Sequence, residues 1–173
     1  MSLKNEFDNI LKQYGHHILL LSQKNIRCTC YDALTGSTDR NCEYCFGAGY
    51  IPKVTKEITR EEDSNISSSL SMISDFQTFG EMIVTGRHYF FKNDVEVKVN
   101  DLILDVDWEG NRPIHVGRPL LRVSHVDRKR FINGEVVFQK VYMKTQPINR
   151  DIRAINIIDK YNRTYYYLSE GDN

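Results

Sequence analysis

All four cysteines of this chain fall between residues 28 and 45, in two close pairs, Cys28-Thr29-Cys30 and Cys42-Glu43-Tyr44-Cys45. Two thiol pairs separated by a short loop supply the four ligands of a tetrahedral zinc site. The second pair continues as Phe46-Gly47-Ala48-Gly49. Glycines here let the backbone fold back, so that amide N–H groups aim at the sulfurs and orient metal-bound thiolates. Four thiolates close the coordination shell, so the expectation is one structural Zn2+ held by Cys28, Cys30, Cys42 and Cys45. Disulfides or free thiols are the competing reading, because small secreted domains also cluster their cysteines. The opening residues Met1-Ser2-Leu3-Lys4-Asn5-Glu6-Phe7-Asp8 lack the apolar segment of a secretion signal, and no run approaches the ~18 apolar residues of a membrane span. A reducing host cytoplasm is therefore expected, where thiols favour metal. A redox pair fits less well, since that motif opens a helix and Cys42 follows a polar loop.

Other chemistry-bearing residues have blander readings. Asp101, Asp105 and Asp107 gather near Trp108. Asp105 and Asp107 are expected to share a strand face, which makes them candidates for a divalent-cation or paired-carboxylate site, although a polar strand face or turn caps is the favoured account. Ser124, His125 and Asp127 are triad residue types, but they are too close along one strand to point at one another. His16 and His17, adjacent on a strand, face opposite ways and do not share an ion. Arg128, Lys129 and Arg130 precede Phe131, a basic cluster that suits either a nucleic-acid backbone or, as the favoured reading, a solvated turn. The chain has no P-loop, no G-x-S-x-G and no H-E-x-x-H. This balance favours a building block over an enzyme.

The elements that position these residues follow from periodicity. Phe7, Ile10, Leu11 and Tyr14 fall on one face of a helix over residues 4–14, capped by Ser2 and ended by Gly15 in a left-handed conformation. Residues 18–21 are a continuous apolar strand leading into the first cysteine pair, and residues 50–54 a short strand leaving the second. Residues 55–75 are rich in charge and serine and read as an extended arm. Beyond residue 81 the pattern has period two, with candidate strands at 82–84, 87–91, 96–99, 101–106, 120–127, 135–144, 153–159 and 164–168. Asn133-Gly134 is a hairpin signal. The expected fold is mainly β: a small barrel or sandwich (residues 81–173), preceded by a short N-terminal helix and zinc knuckle (residues 1–54) and joined to them by an arm (residues 55–80).

The chain has 173 residues with Lys plus Arg equal to Asp plus Glu, 23 each, so no global field draws it to nucleic acid. Charge is uneven along the chain: residues 1–85 carry 8 basic and 11 acidic side chains, and residues 86–173 carry 15 and 12. That dipole suits head-to-tail stacking. Ten tyrosines and eight phenylalanines favour strands and interfaces.

Two stretches carry a family resemblance. Tyr14-Gly15-His16-His17-Ile18-Leu19-Leu20-Leu21, then Cys28-x-Cys30, then Asp39-x-Asn41-Cys42-x-x-Cys45-x-Gly47-x-Gly49-Tyr50, resembles small virion structural proteins of tailed bacteriophages. The run from Asp101 to Trp108 and that from Gly134 to Tyr142 look like the small-barrel proteins of the head–tail junction. The resemblance implies a neck, head-completion or head–tail connector protein of the virion, without catalysis. It implies self-assembly into a homo-oligomeric ring and contacts with other phage neck, portal or tail proteins. Arg128 and its neighbours are candidates for weak contact with DNA in the channel, and no membrane is involved. Known head-completion barrels are usually shorter and lack the knuckle, so a tail or baseplate protein is the alternative. A nucleic-acid-binding zinc protein with an OB-like barrel is an alternative of another class, disfavoured by neutral charge. A metal-dependent enzyme using Asp105 and Asp107 is a third, disfavoured by the closed cysteine shell.

Overall fold

The computed structural model describes residues 3–40, 42, 44–63, 87–114, 119–131, 134–146, 152–158 and 160–170. Helix α1 (Leu3–Tyr14) precedes ten strands: β1 (His16–Arg27), β2 (Tyr50–Asp63), β3 (Arg87–Lys92), β4 (Leu102–Asp105), β5 (Asp107–Glu109), β6 (Arg112–Ile114), β7 (Leu121–Arg130), β8 (Val136–Thr145), β9 (Ile152–Ile158) and β10 (Thr164–Glu170). Six of them close a barrel in the order β1-β2-β3-β8-β7-β4, with every pair antiparallel. Strand β4 returns to lie beside β1, so β4-β1-β2-β3 is a Greek key. The hairpins β5–β6 and β9–β10 are separate two-stranded sheets.

The barrel explains the continuous apolar run of β1. Ile18 and Leu20 point inward, with Tyr89, Phe91, Val97, Ile103, Leu121, Val123, Val141 and Met143. Leu19 and Leu21 point outward, yet they are equally buried. A second cluster covers them, formed with Leu102, Leu104, Val106, Leu120, Phe46 and Ala154, and flanked by Trp108, Tyr166 and Leu168. A strand buried on both faces reads as an unbroken hydrophobic segment rather than an alternating one. Trp108 fastens this outer layer: its Nε1 donates to the His17 carbonyl at 2.8 Å, Lys56 lies 4.0 Å from its ring centroid, and Tyr166 meets it edge-on.

Several expectations shift in the structure. The division at residue 54 falls inside β2, because β1 and β2 are barrel strands and the cysteine segment is their connection. Residues 55–63 of the expected arm continue β2, and the rest of the arm lies outside the described residues, as do Ser2 and the candidate strand at 82–84. Residues 96–99 form no strand. The Asp101 carboxylate accepts from the Lys98 N–H at 2.8 Å and Asn100 takes φ 74°, which turns the chain, while Val97 still plugs the core. Helix α1 docks through Leu11 and through Phe7, which stacks on Phe138 at 4.8 Å, leaving Ile10 and Tyr14 exposed. Gly15 ends the helix without a left-handed φ, its N–H donating to the Leu11 carbonyl at 2.8 Å. Glycine is needed there for space, since a Cβ would sit 2.3 Å from the Leu11 carbonyl oxygen and 2.9 Å from that of Thr59. The β7–β8 hairpin is present, with Arg130 opposite Val136 and Gly134 at φ 74°.

Candidate metal centre

The cysteine segment is the turn of one long hairpin. Arg27 pairs with Tyr50 at the end of β1–β2, and the Cys28 N–H donates to the Gly49 carbonyl at 2.9 Å. A tight turn follows, in which the Tyr31 N–H donates to the Cys28 carbonyl at 3.0 Å. Asp32 then organises the loop. Its carboxylate accepts from the Leu34 N–H and the Thr35 hydroxyl, and these bonds, that of Thr35 foremost, hold its carboxyl below the usual range. The second pair sits on consecutive turns, with the Phe46 N–H on the Cys42 carbonyl and the Ala48 N–H on the Cys45 carbonyl, both at 2.9 Å. Phe46, Gly47 and Gly49 have φ of 52°, 77° and 80°. These left-handed residues fold the chain back over the sulfurs.

The four Sγ atoms converge. Cys28 and Cys42 are 3.5 Å apart, Cys30 and Cys45 3.4 Å, and the Sγ separations run 3.4–3.8 Å. A tetrahedron with metal–sulfur bonds of ~2.3 Å has edges of about 3.8 Å. A disulfide would bring one pair to ~2.05 Å, and all four cysteines are free thiols. The donor set therefore fits a single tetrahedral metal ion with no open position for substrate.

Backbone amides prepare the ligands. Burial opposes ionisation of Cys42, but the N–H groups of Tyr44 and Cys45 together with its thiol neighbours outweigh it and bring the thiol down to about 7. Burial pushes Cys45 well up, although the Gly49 and Gly47 N–H groups point at it, and burial also raises Cys30. One thiol is thus ready to ionise near neutrality, and a bound cation would displace the other protons. The site is joined to the fold by Phe46, next in the chain to Cys45, whose ring is buried in the outer core.

The remaining candidates are scattered. Asp105 points into one barrel mouth, where Oδ1 meets His16 Nε2 at 3.2 Å and Oδ2 accepts from the buried Tyr89 hydroxyl at 2.7 Å. Glu61 joins this cluster and is paired with Arg87 at 3.3 Å. Asp107 lies on a different strand and is exposed, so the two carboxylates form no pair. Asp101 caps a turn, accepting from the N–H groups of Gln23 and Lys98, and burial raises its carboxyl. His17 faces Trp108, away from His16. Ser124 occupies a bulge and donates to the Tyr142 carbonyl, His125 lies beside the Tyr142 ring, and Asp127 pairs with Lys129. Arg128, Lys129 and Arg130 are exposed at the end of β7. The His16–Asp105–Tyr89 link escaped the sequence reading. Its one signal was a carboxylate two residues beyond Ile103, on the inward face of an otherwise apolar strand.

No protein-family model matches this chain, and no curated protein matches it either. No helix among the described residues is long and apolar enough to cross a membrane.

Proposed function

We propose that this chain is a non-enzymatic structural subunit of a tailed-phage virion, a neck or head–tail connector protein that assembles into a closed ring. The resemblance of its cysteine and barrel segments to virion proteins supplies the identity. The observation that carries an assembly role is the outer face of β9–β10. Ile155 stands opposite Tyr167 and Ile157 opposite Tyr165, and all four are exposed, from 40% to 54%. The other face of the hairpin is occupied, because Ala154, Tyr166 and Leu168 pack on the barrel wall. An aromatic and aliphatic face on a two-stranded sheet, with no further strand on either edge among the described residues, has the chemistry of a subunit contact. A ring needs two different faces on each subunit, and the uneven charge of the two halves of the chain agrees with that.

In this reading the metal is zinc. Cys28, Cys30, Cys42 and Cys45 would hold it, and it would stiffen the β1–β2 turn without chemistry of its own. The neighbours would be copies of this chain and other neck, portal or tail proteins, in the virion after synthesis in the host cytoplasm. Native mass spectrometry of the purified chain and peptide analysis of purified particles test the reading. A ring in the first and the chain in the second are expected. A monomer at high concentration, found in infected cells and never in particles, would overturn it.

A further inference from the structure

A pocket of ≈ 490 Å³ opens where the cysteine lobe meets the barrel, on the seam between the loop before Cys42 and the ends of β7 and β8. Three cations line it: Arg40 from the loop, and Arg122 and Lys144 from the two strands, with Ser37, Thr38, Thr145 and Gln146 completing the wall. No acidic side chain among the described residues lines it.

The arrangement is costly on its own. Arg122 and Lys144 are directly opposite each other in the β7–β8 register, and like charges so placed repel. Burial, and then the nearby Arg40, makes the Arg122 guanidinium harder to keep charged, with the Cys45 sulfur acting the other way but not outweighing them. Its position is nevertheless fixed. One terminal nitrogen donates to the Gly47 carbonyl at 3.0 Å, an oxygen that also accepts from the Thr38 hydroxyl at 2.9 Å. Its Nε is buried without a hydrogen-bond partner. Glycine at 47 is favoured by its φ of 77°, and a Cβ there would come within 3.1 Å of the Gln146 amide nitrogen and 3.2 Å of the Arg40 backbone, a tight fit. A half-buried arginine with a spare donor, two further cations, hydroxyl and amide donors and no carboxylate make a set suited to an anion with several oxygens.

We propose that this pocket is a phosphate-binding site, in which Arg122 supplies a fixed fork and Arg40 and Lys144 supply charge from either side. The phosphate is either a free phosphate ion or a phosphodiester of a nucleic-acid backbone. The site is distinct from the exposed cluster Arg128, Lys129 and Arg130 farther along β7, and it does not depend on the virion reading.

The test uses the full metal-loaded chain with two probes at low salt: inorganic phosphate by calorimetry and a short labelled DNA duplex by fluorescence anisotropy. Lys144→Gln, an exposed position, and Arg40→Gln are each expected to weaken binding about tenfold. Arg122→Lys, which keeps the charge and loses the fork, should weaken it as well. The control Arg128→Gln/Arg130→Gln leaves the pocket intact and should change phosphate binding less than twofold. Phosphate binding alone identifies a free-ion site. Saturable duplex binding weakened about tenfold in Lys144→Gln, with a salt dependence shallower by about one charge, identifies a backbone site. Binding of neither probe overturns the proposal. So does binding that the pocket variants leave unchanged while they fold normally by circular dichroism, or that the control variant weakens equally.

Discussion

The Tyr89 hydroxyl donates to Asp105 Oδ2 at 2.7 Å inside one mouth of the barrel, where both residues are almost fully shielded from water. The bond ties β3 to β4, two strands that are not neighbours in the barrel. His16 holds the other carboxylate oxygen from β1, so one buried charge gathers three strands. Removing one partner of such a charge leaves the other desolvated and unsatisfied. Tyr89→Phe is expected to lower stability by about 2 kcal/mol, read as a shift in the denaturant midpoint at constant slope. An unchanged midpoint would show that the bond contributes nothing.

The same tyrosine makes a pH prediction. In the unfolded chain it ionises near ~10. In the barrel, burial first and then the Asp105 charge hold it protonated well above that value. The folded state keeps a proton that the unfolded state gives up. Its contribution is therefore whole below pH ~10 and is lost as pH rises beyond it, at up to about 1.4 kcal/mol per pH unit. Wild type should lose stability above pH ~10 more steeply than Tyr89→Phe. Parallel curves would contradict this account.

Metal removal should act locally first. A chelator, or Cys45→Ser, is expected to abolish binding of one ion per chain and to raise amide exchange across residues 28–49, because binding energy there is folding energy. The inner core of the barrel contains none of these residues, so its amides should lose less protection. Elemental analysis gives the stoichiometry and exchange mass spectrometry the map. Metal-free protein with the four cysteines in disulfides would refute the site.

The cysteine cluster was legible because ligand spacing is short-range information, carried by Cys28-x-Cys30 and Cys42-x-x-Cys45. Strands β3, β4 and β7 to β10 were legible from period two and from turns such as Asn100-Asp101, whereas the short hairpin β5–β6 was not anticipated. What escaped is what long-range pairing decides. The apolar residues 18–21 gave no sign that β4 would lie against them, or that β9–β10 and Phe46 would bury their outer face. Residues 55–63 looked like a polar arm because charge dominates them, yet the ladders to β1 and β3 fix them as strand. The bulge at Ser124 places Val123 and Val126 on the same core, a parity change that strict alternation does not signal. Arg40, Arg122 and Lys144 lie far apart in sequence, so their pocket leaves no local motif.

Gly15 is the close contact that lets α1 lie on the barrel. Gly15→Ala forces a Cβ against two backbone carbonyls that cannot move independently of helix and strand. A loss of about 1–3 kcal/mol is expected, the usual cost of overpacking, together with weaker packing of Phe7 on Phe138. Ile10→Ala, on the exposed face of the same helix, should change stability by no more than about 0.5 kcal/mol. Equal melting temperatures for the two variants would mean that the contact is not limiting.

If the proposed ring forms through the apolar face of β9–β10, substitutions there separate assembly from folding. Ile157 is 54% exposed and stands opposite Tyr165 on the outer face of the hairpin. A surface substitution at such a place typically alters stability by no more than about 0.5 kcal/mol. A lysine in the centre of a subunit contact would instead bury an unpaired charge, which costs several times that much. Ile157→Lys should therefore leave the melting temperature of the isolated chain near wild type while shifting the species seen by analytical ultracentrifugation from the proposed ring to monomer. The neighbouring change Ala154→Lys, on the buried side of the same strand, should destabilise the fold itself. Wild-type assembly by Ile157→Lys would remove this face from the interface and send the search to the exposed side of α1, at Ile10 and Tyr14.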